Sequence, residues 1–144
     1  MGTMIKESAV ILGNGEDDSS IDICARAARE VIEKSGIERK DVDLLINIGI
    51  NRDKNIVEPA VASLIQKKAR ININPTRKHL ARQVGTLSFD ILHGSCGFIQ
   101  AVQVATAFLQ VGRYKYAIIV SSEVHPSGKK PLDFPFTHSG AAIL

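Results

Sequence analysis

The sequence predicts an α/β protein built on a parallel sheet covered on both faces. Three stretches carry that reading. Val42–Ile50 is a nearly continuous apolar run, the pattern of a strand buried on both sides. Tyr116–Val120 is a second such run. Between them, Leu87, Phe89 and Ile91 mark a short strand, His93-Gly94-Ser95-Cys96-Gly97 a small-residue corner, and Phe98–Val111 a helix stopped by Gly112. A strand, helix and strand in that order call for parallel strands joined by a crossover.

The other elements follow in chain order. Ser8–Gly13 reads as a first strand ending in a glycine turn. Ser19, with Asp22 three residues on, caps a helix whose apolar stripe is Ile21, Cys24, Ala25, Ala28 and Ile32 and whose stop is Gly36. Cys24 falls in the stripe and reads as a packed core thiol. Asn51–Asn55 is a polar loop at the end of the Val42–Ile50 strand, and Glu58-Pro59 opens a helix with Pro59 in the first turn. The Phe98–Val111 helix is apolar nearly all round, which predicts burial rather than a surface position. Ala141–Leu144 reads as the start of a buried strand whose edge would be left uncovered.

Composition excludes several classes. The 144 residues, with 44% hydrophobic and 23% charged, suit one globular domain with its own core. The net charge of +3 is too mild to argue for nucleic acid. Two cysteines are too few for a disulfide framework, and four scattered histidines offer no zinc-ligand spacing, so the expectation is a cytoplasmic protein without a metal site. No apolar run has membrane-spanning length. Gly13-Asn14-Gly15 lacks the third glycine of a dinucleotide-binding turn.

The chemistry concentrates at the corner. A nucleophile there, Cys96 or Ser95, stands at a helix N-terminus, where unpaired backbone N–H groups favour a thiolate and hold a developing oxyanion. The corner also lies at the carboxyl end of a strand, where open α/β sheets place their ligands. A hydrolase elbow is a competing pattern: Ser95 is followed by Asp133 and His138 in the order nucleophile, acid, base, although His93 replaces the elbow's first glycine.

Phe89-Asp90-Ile91, the corner, Gly97-Phe98, Ala101 and Gly112-x-Tyr114-Lys115-Tyr116-Ala117-Ile118-Ile119-Val120 resemble the nucleophile segment and following strand of the 3-oxoacyl-(acyl carrier protein) synthase III group of the thiolase-like superfamily. Ser35-Gly36-Ile37, Asp41–Ile46 and Gly140–Leu144 extend the resemblance over most of the chain. It implies a thiolase-like half, a mostly parallel mixed sheet with helices on both faces, with residues 1–144 forming the N-terminal domain and the second half, with its catalytic His and Asn, absent from this chain. It also implies acyl transfer through a covalent acyl-enzyme in fatty-acid or polyketide-type biosynthesis. The acyl group would arrive on coenzyme A or an acyl carrier protein, as substrate rather than cofactor, and a complementary half or a second copy would complete the site. Counted from Asp90, the group's catalytic Cys falls on Ser95, and Cys96 is one place later. Gly97, Phe98, Phe134 and Phe136 are the implied substrate-binding residues, Phe134 and Phe136 lying in the proline-rich loop from Pro126 to Pro135. His138 replaces the group's usual acidic residue, and His93 and His138 are candidate helpers or loop anchors. Residues 51–58 are implied to lie near a partner subunit. A non-catalytic thiolase-like subunit supporting a partner enzyme is the alternative.

One charge pattern stands apart. From Pro59 to Phe89 there is no acidic residue, while Lys67, Lys68, Arg70, Arg77, Lys78 and Arg82 accumulate. Such a field would attract an acidic carrier protein or the phosphates of coenzyme A. Residues 72–85 also look like an insertion relative to the synthases, with His79 at the surface.

Overall fold

The computed structural model describes residues 2–14, 17–73 and 85–144. Gly15, Arg77, Lys78, His79, Arg82 and most of the suggested 72–85 insertion lie outside the described residues.

Five strands form one sheet in the order β1-β5-β4-β2-β3, with β1 at Ser8–Leu12, β2 at Leu44–Asn47, β3 at Leu87–Asp90, β4 at Ala117–Glu123 and β5 at Ser139–Ile143. β2 pairs parallel with β3 and β4, and β5 runs antiparallel to both β4 and β1. Four strands therefore share a direction, as a mostly parallel mixed sheet requires. All four residues of β2 are buried, which accounts for its unbroken apolar run.

Helices α1 (Ser20–Ser35) and α2 (Val61–Ala69) cover one face, with Val31, Leu45, Ile65, Ile118 and Val120 in the shared core. The α1 boundaries match the sequence signals: Ser19 Oγ accepts from Asp22 N at 3.2 Å, and Gly36 ends the helix at φ 71°. Helix α2 begins two residues later than expected, at Val61 rather than Pro59, with Ala60 at its N-cap. Ala60 offers no capping side chain, and the cap comes from elsewhere in the fold.

Among the described residues, α3 (Gly97–Gln110) is the helix that packs on the other face. It is not buried all round, as its composition predicts. Only Gly97, Ala101 and Ala105 are buried, against Leu44, Ile46 and Ile119, while Phe98 is 43% and Ile99 62% exposed. Small residues let the helix approach the sheet along one line, Val102, Val104 and Phe108 are partly buried against the same cluster, and Ile99 and Val111 stay largely exposed. Val10 and Leu12 alternate with Ala9 and Ile11 along β1, and both are exposed at 66% and 68%. The expectation for the last strand also changes. β5 is not an open edge, because β1 and β4 pair with it on either side.

The N-terminus of α1 is held from a distance. Asp53 accepts from Ser19 Oγ at 2.7 Å, Ser20 N at 2.7 Å and Ile21 N at 3.2 Å, satisfying helix donors that have no intrahelical partner. Asp53→Ala is expected to cost about 1–2 kcal/mol in urea unfolding. The exposed loop change Asp133→Ala should stay within about 0.5 kcal/mol.

Candidate active site

The carboxyl ends of β2, β3 and β4 share one end of the sheet, and a run of four residues after β2 clasps them together. Asn51 Nδ2 donates to Glu123 Oε2 at 2.5 Å, at the end of β4. Arg52 Nη2 donates to Asp90 Oδ2 at 2.7 Å, at the end of β3. Asp53 caps α1. Lys54 N donates to the Pro126 carbonyl at 2.7 Å, fixing the loop that follows β4. Residues 51–58 are thus tied inward by their first four members.

Asp90 is the densest node of this clasp. Besides Arg52, its carboxylate accepts from Val61 N at 2.9 Å, Ala62 N at 2.8 Å and Asn47 Nδ2 at 3.2 Å. It is the cap that Ala60 cannot provide, and its pairing with Arg52 is largely buried, at 8% and 13% side-chain exposure. Asn47 completes the link, its Oδ1 accepting from Gly49 N at 3.1 Å. A polar loop is all the sequence shows here, since partners 28 or more residues apart leave no local signal.

Three residues beyond Asp90 the chain reaches the corner. Gly94–Cys96 forms a 3-10 turn, with Gly94 at φ 46°, and Cys96 is the N-cap of α3. Ser95 and Cys96 are both exposed. The corner therefore presents two adjacent nucleophilic side chains at the N-terminus of a helix. One part of the expectation fails. Cys96 N–H donates to the His93 carbonyl at 3.0 Å and Gly97 N–H to the Gly94 carbonyl, so the turn occupies the donors nearest the thiol. The N–H groups that remain for an oxyanion in the first turn of α3 are those of Phe98 and Ile99. His93 contributes its carbonyl to the turn and leaves its side chain exposed.

Of the implied substrate-binding residues, Gly97 is buried with the Ile48 side chain in van der Waals reach of its open side, and Phe98 is half exposed beside it. Phe134 and Phe136 sit elsewhere on the same end of the sheet. Their rings meet edge to face at 5.5 Å, and Phe134 also contacts the rings of His125 and His138 at 5.2 and 5.7 Å. Ring contacts among the described residues do not join Phe98 to this cluster. The two groups leave strands β3 and β4, which flank β2 and so stand about 10 Å apart.

His138 is a loop anchor. It is 2% exposed, its Nδ1 meets Asp18 Oδ2 at 2.9 Å, and its Nε2 accepts from His125 N at 3.3 Å. With both ring nitrogens engaged and Asp18 rather than Asp133 as its carboxylate, the hydrolase order of Ser95, Asp133 and His138 is not assembled as a triad. Cys24 is a packed core thiol as read, 1% exposed. Burial pushes it up from 9.0 to about 12, against a smaller opposing effect of its hydrogen bond with Ser122. Among the described residues there is no metal-ligating cluster, and no helix is long and apolar enough to cross a membrane.

The described part of the basic field lies on the opposite layer. Lys67, Lys68 and Arg70 stand at the end of α2, on the α1/α2 face, whereas the corner leads into α3 on the other face.

Four outcomes are expected from this geometry. Asp90→Ala should destabilise the fold by about 3–5 kcal/mol, because it strands a buried guanidinium as well as two helix N–H groups. Combined with Arg52→Met, the cost should fall short of the sum of the two single changes in denaturant unfolding. Iodoacetamide should label Cys96 in the folded protein and reach Cys24 only after denaturation. Because the folded-state value of Cys24 is raised, the stability gained by burying it as a neutral thiol is complete below pH about 9 and declines as pH rises toward about 12.

No family model matches the chain. Among curated proteins it is 31% identical over 109 residues to the beta-ketoacyl-[acyl-carrier-protein] synthase III of Thioalkalivibrio sulfidiphilus, covering 76% of this chain and 30% of that protein. To the protein of the same name from Clostridium acetobutylicum it is 30% identical over 122 residues, covering 85% and 32%. The chain thus spans about a third of the length of the curated relatives it matches. Among solved structures, the 3-oxoacyl-[acyl-carrier-protein] synthase III of Aquifex aeolicus aligns with a TM-score of 0.75 and 16% identity over 99% of this chain and 53% of its own. OleA of Xanthomonas campestris, solved with bound lauric acid and lauroyl-CoA, aligns at 0.68 and 21% identity over 88% and 40%. With the relatives and the fold agreeing, the chain is a 3-oxoacyl-(acyl carrier protein) synthase III-like stretch of thiolase-like fold.

Proposed function

We propose that this chain contributes the nucleophile-bearing half of an acyltransferase of the synthase III type, acting in fatty-acid or polyketide-type biosynthesis. The observation that supports it most directly is the exposed Ser95-Cys96 pair at the N-terminus of a 14-residue helix. In this reading an acyl thioester, on coenzyme A or the phosphopantetheine of a carrier protein, is the substrate, and no cofactor takes part. The Cys96 thiolate adds to the thioester carbonyl. The tetrahedral intermediate then collapses, breaking the carbon–sulfur bond to coenzyme A. The departing thiolate takes up the proton that Cys96 gave up, leaving an S-acyl enzyme. A carbanion or another acceptor next attacks that acyl group. Ser95 in the same role would need a positioned base.

Because the turn occupies the Cys96 and Gly97 N–H groups, a complementary half or a second copy seated on α3 adds oxyanion donors to whatever the first turn of α3 offers. Phe98, Ile99, Val10 and Leu12, exposed on that side, are apolar, as such a cover requires. Gly97 and Phe98 then border the acyl chain, with Phe134 and Phe136 as its more distant wall. A non-catalytic subunit supporting a partner enzyme is the second reading, favoured by those same occupied donors.

The two readings separate in steady-state transfer assays on the assembled protein, with coenzyme A release followed chromatographically. Loss of the true nucleophile by Cys96→Ala or Ser95→Ala should lower the rate by about 10³-fold or more, while the other change costs less than tenfold. Equal, small effects of both changes would favour the supporting subunit.

A further inference from the structure

A groove of about 690 Å³ runs between α1 and α2, on the face opposite the corner. Its walls carry Arg29, Arg39, Lys67, Lys68 and Arg70, and its two remaining lining residues, Ile21 and Leu64, are apolar. The acyl-transfer reading uses none of them.

The charges in this groove exceed what the helix ends need. Cations in the last turn of α2 offset a helix C-terminus that carries roughly half a negative charge. Lys67 and Lys68 answer that together with Arg29, whose Nη1 donates to the Lys68 carbonyl at 3.2 Å, and Arg70 adds to them from the left-handed residue that ends the helix. Arg29 and Arg39 come from α1 and the segment after it. Lys68 pairs with Asp22 at 2.7 Å and Arg39 with Glu33 at 3.8 Å. Arg29, Lys67 and Arg70 have no carboxylate partner among the described residues. Residues 74–84 contain no acidic side chain, and Glu16 is the one acidic residue outside the described residues. Like charges gathered in one groove repel, and a partner bringing carboxylates relieves that repulsion.

We infer that the α1/α2 groove is a docking site for an acidic segment of a partner protein, its carboxylates meeting Arg29, Lys67 and Arg70 and its apolar side chains resting on Ile21 and Leu64. The apolar floor and the lack of any aromatic lining residue fit a peptide better than a nucleic acid, whose bases would need a stacking surface. Such a partner leaves the corner open, because the sheet separates the two faces. The inference therefore stands whether or not the corner transfers acyl groups.

The test uses the full polypeptide or complex that contains this chain and a fluorescent amphipathic helical peptide of Glu and Leu. Two competitors accompany it: a scrambled peptide of the same composition and a single-stranded RNA oligonucleotide. The amphipathic peptide should bind at least about tenfold more tightly than the scrambled one, and more weakly as salt rises from about 0.01 to 0.15 M. Lys67→Glu with Arg70→Asn, the latter chosen because Asn tolerates the left-handed backbone, should weaken it by about tenfold or more. Arg29→Gln should act in the same direction. The equally charge-changing Lys129→Glu/Lys130→Gln, on an exposed loop, should leave affinity within about twofold. Equal binding of the scrambled peptide, tighter binding of RNA, or indifference to the groove substitutions would overturn the inference.

Discussion

The fold depends on the clasp formed by Asn51, Arg52, Asp53 and Lys54, and above all on the buried contact between Arg52 and Asp90. Each of the four consecutive residues binds a different element: the end of β4, the end of β3, the start of α1 and the loop after β4. Asp90 adds the start of α2 and the end of β2. A carboxylate in this position does two jobs that a local cap could not. It satisfies the first N–H groups of α2, and it fixes the strand that leads into the corner. The nucleophilic pair thus begins five residues from the most heavily bonded side chain of the clasp, which is how a short exposed turn can be held in one geometry.

The two faces of the sheet are finished differently. On the α1/α2 side the core is closed, with Leu45, Ile65 and Ile118 fully buried. On the α3 side the helix touches the sheet along its small residues and leaves Phe98 and Ile99 outward. That asymmetry explains why the composition of α3 predicts a buried helix and yet the chain does not bury it. Apolarity records every environment a helix is adapted to, and one chain supplies only some of them. In the proposed assembly, the same uncovered face receives the groups that the corner lacks.

Most of the architecture was legible because it is locally encoded. Ser19 and Gly36 mark α1, the Val42–Ile50 run marks β2, and the Leu87–Val120 segment marks a strand, helix and strand. Cys24 could be placed in the core from helical spacing alone. What was not legible is what arises between distant residues. The late start of α2 follows from Asp90 capping it across 28 residues, and the anchoring role of His138 from Asp18, 120 residues away. The occupied N–H groups at the corner could not be read either, since a 3-10 turn and the first turn of a helix look alike in a run of small residues. The basic cluster was visible in composition, but only the layer arrangement separates it from the corner.

The central claim is that the corner forms a covalent acyl-enzyme. Its most direct measurement is the intact mass of the assembled protein after mixing with a panel of acyl-coenzyme A thioesters, followed by peptide mapping. The account predicts a mass increase equal to the acyl group, mapped to Cys96 or Ser95 and lost on denaturation before mixing. An unmodified corner with every thioester, in a protein shown to be folded and assembled, would contradict it.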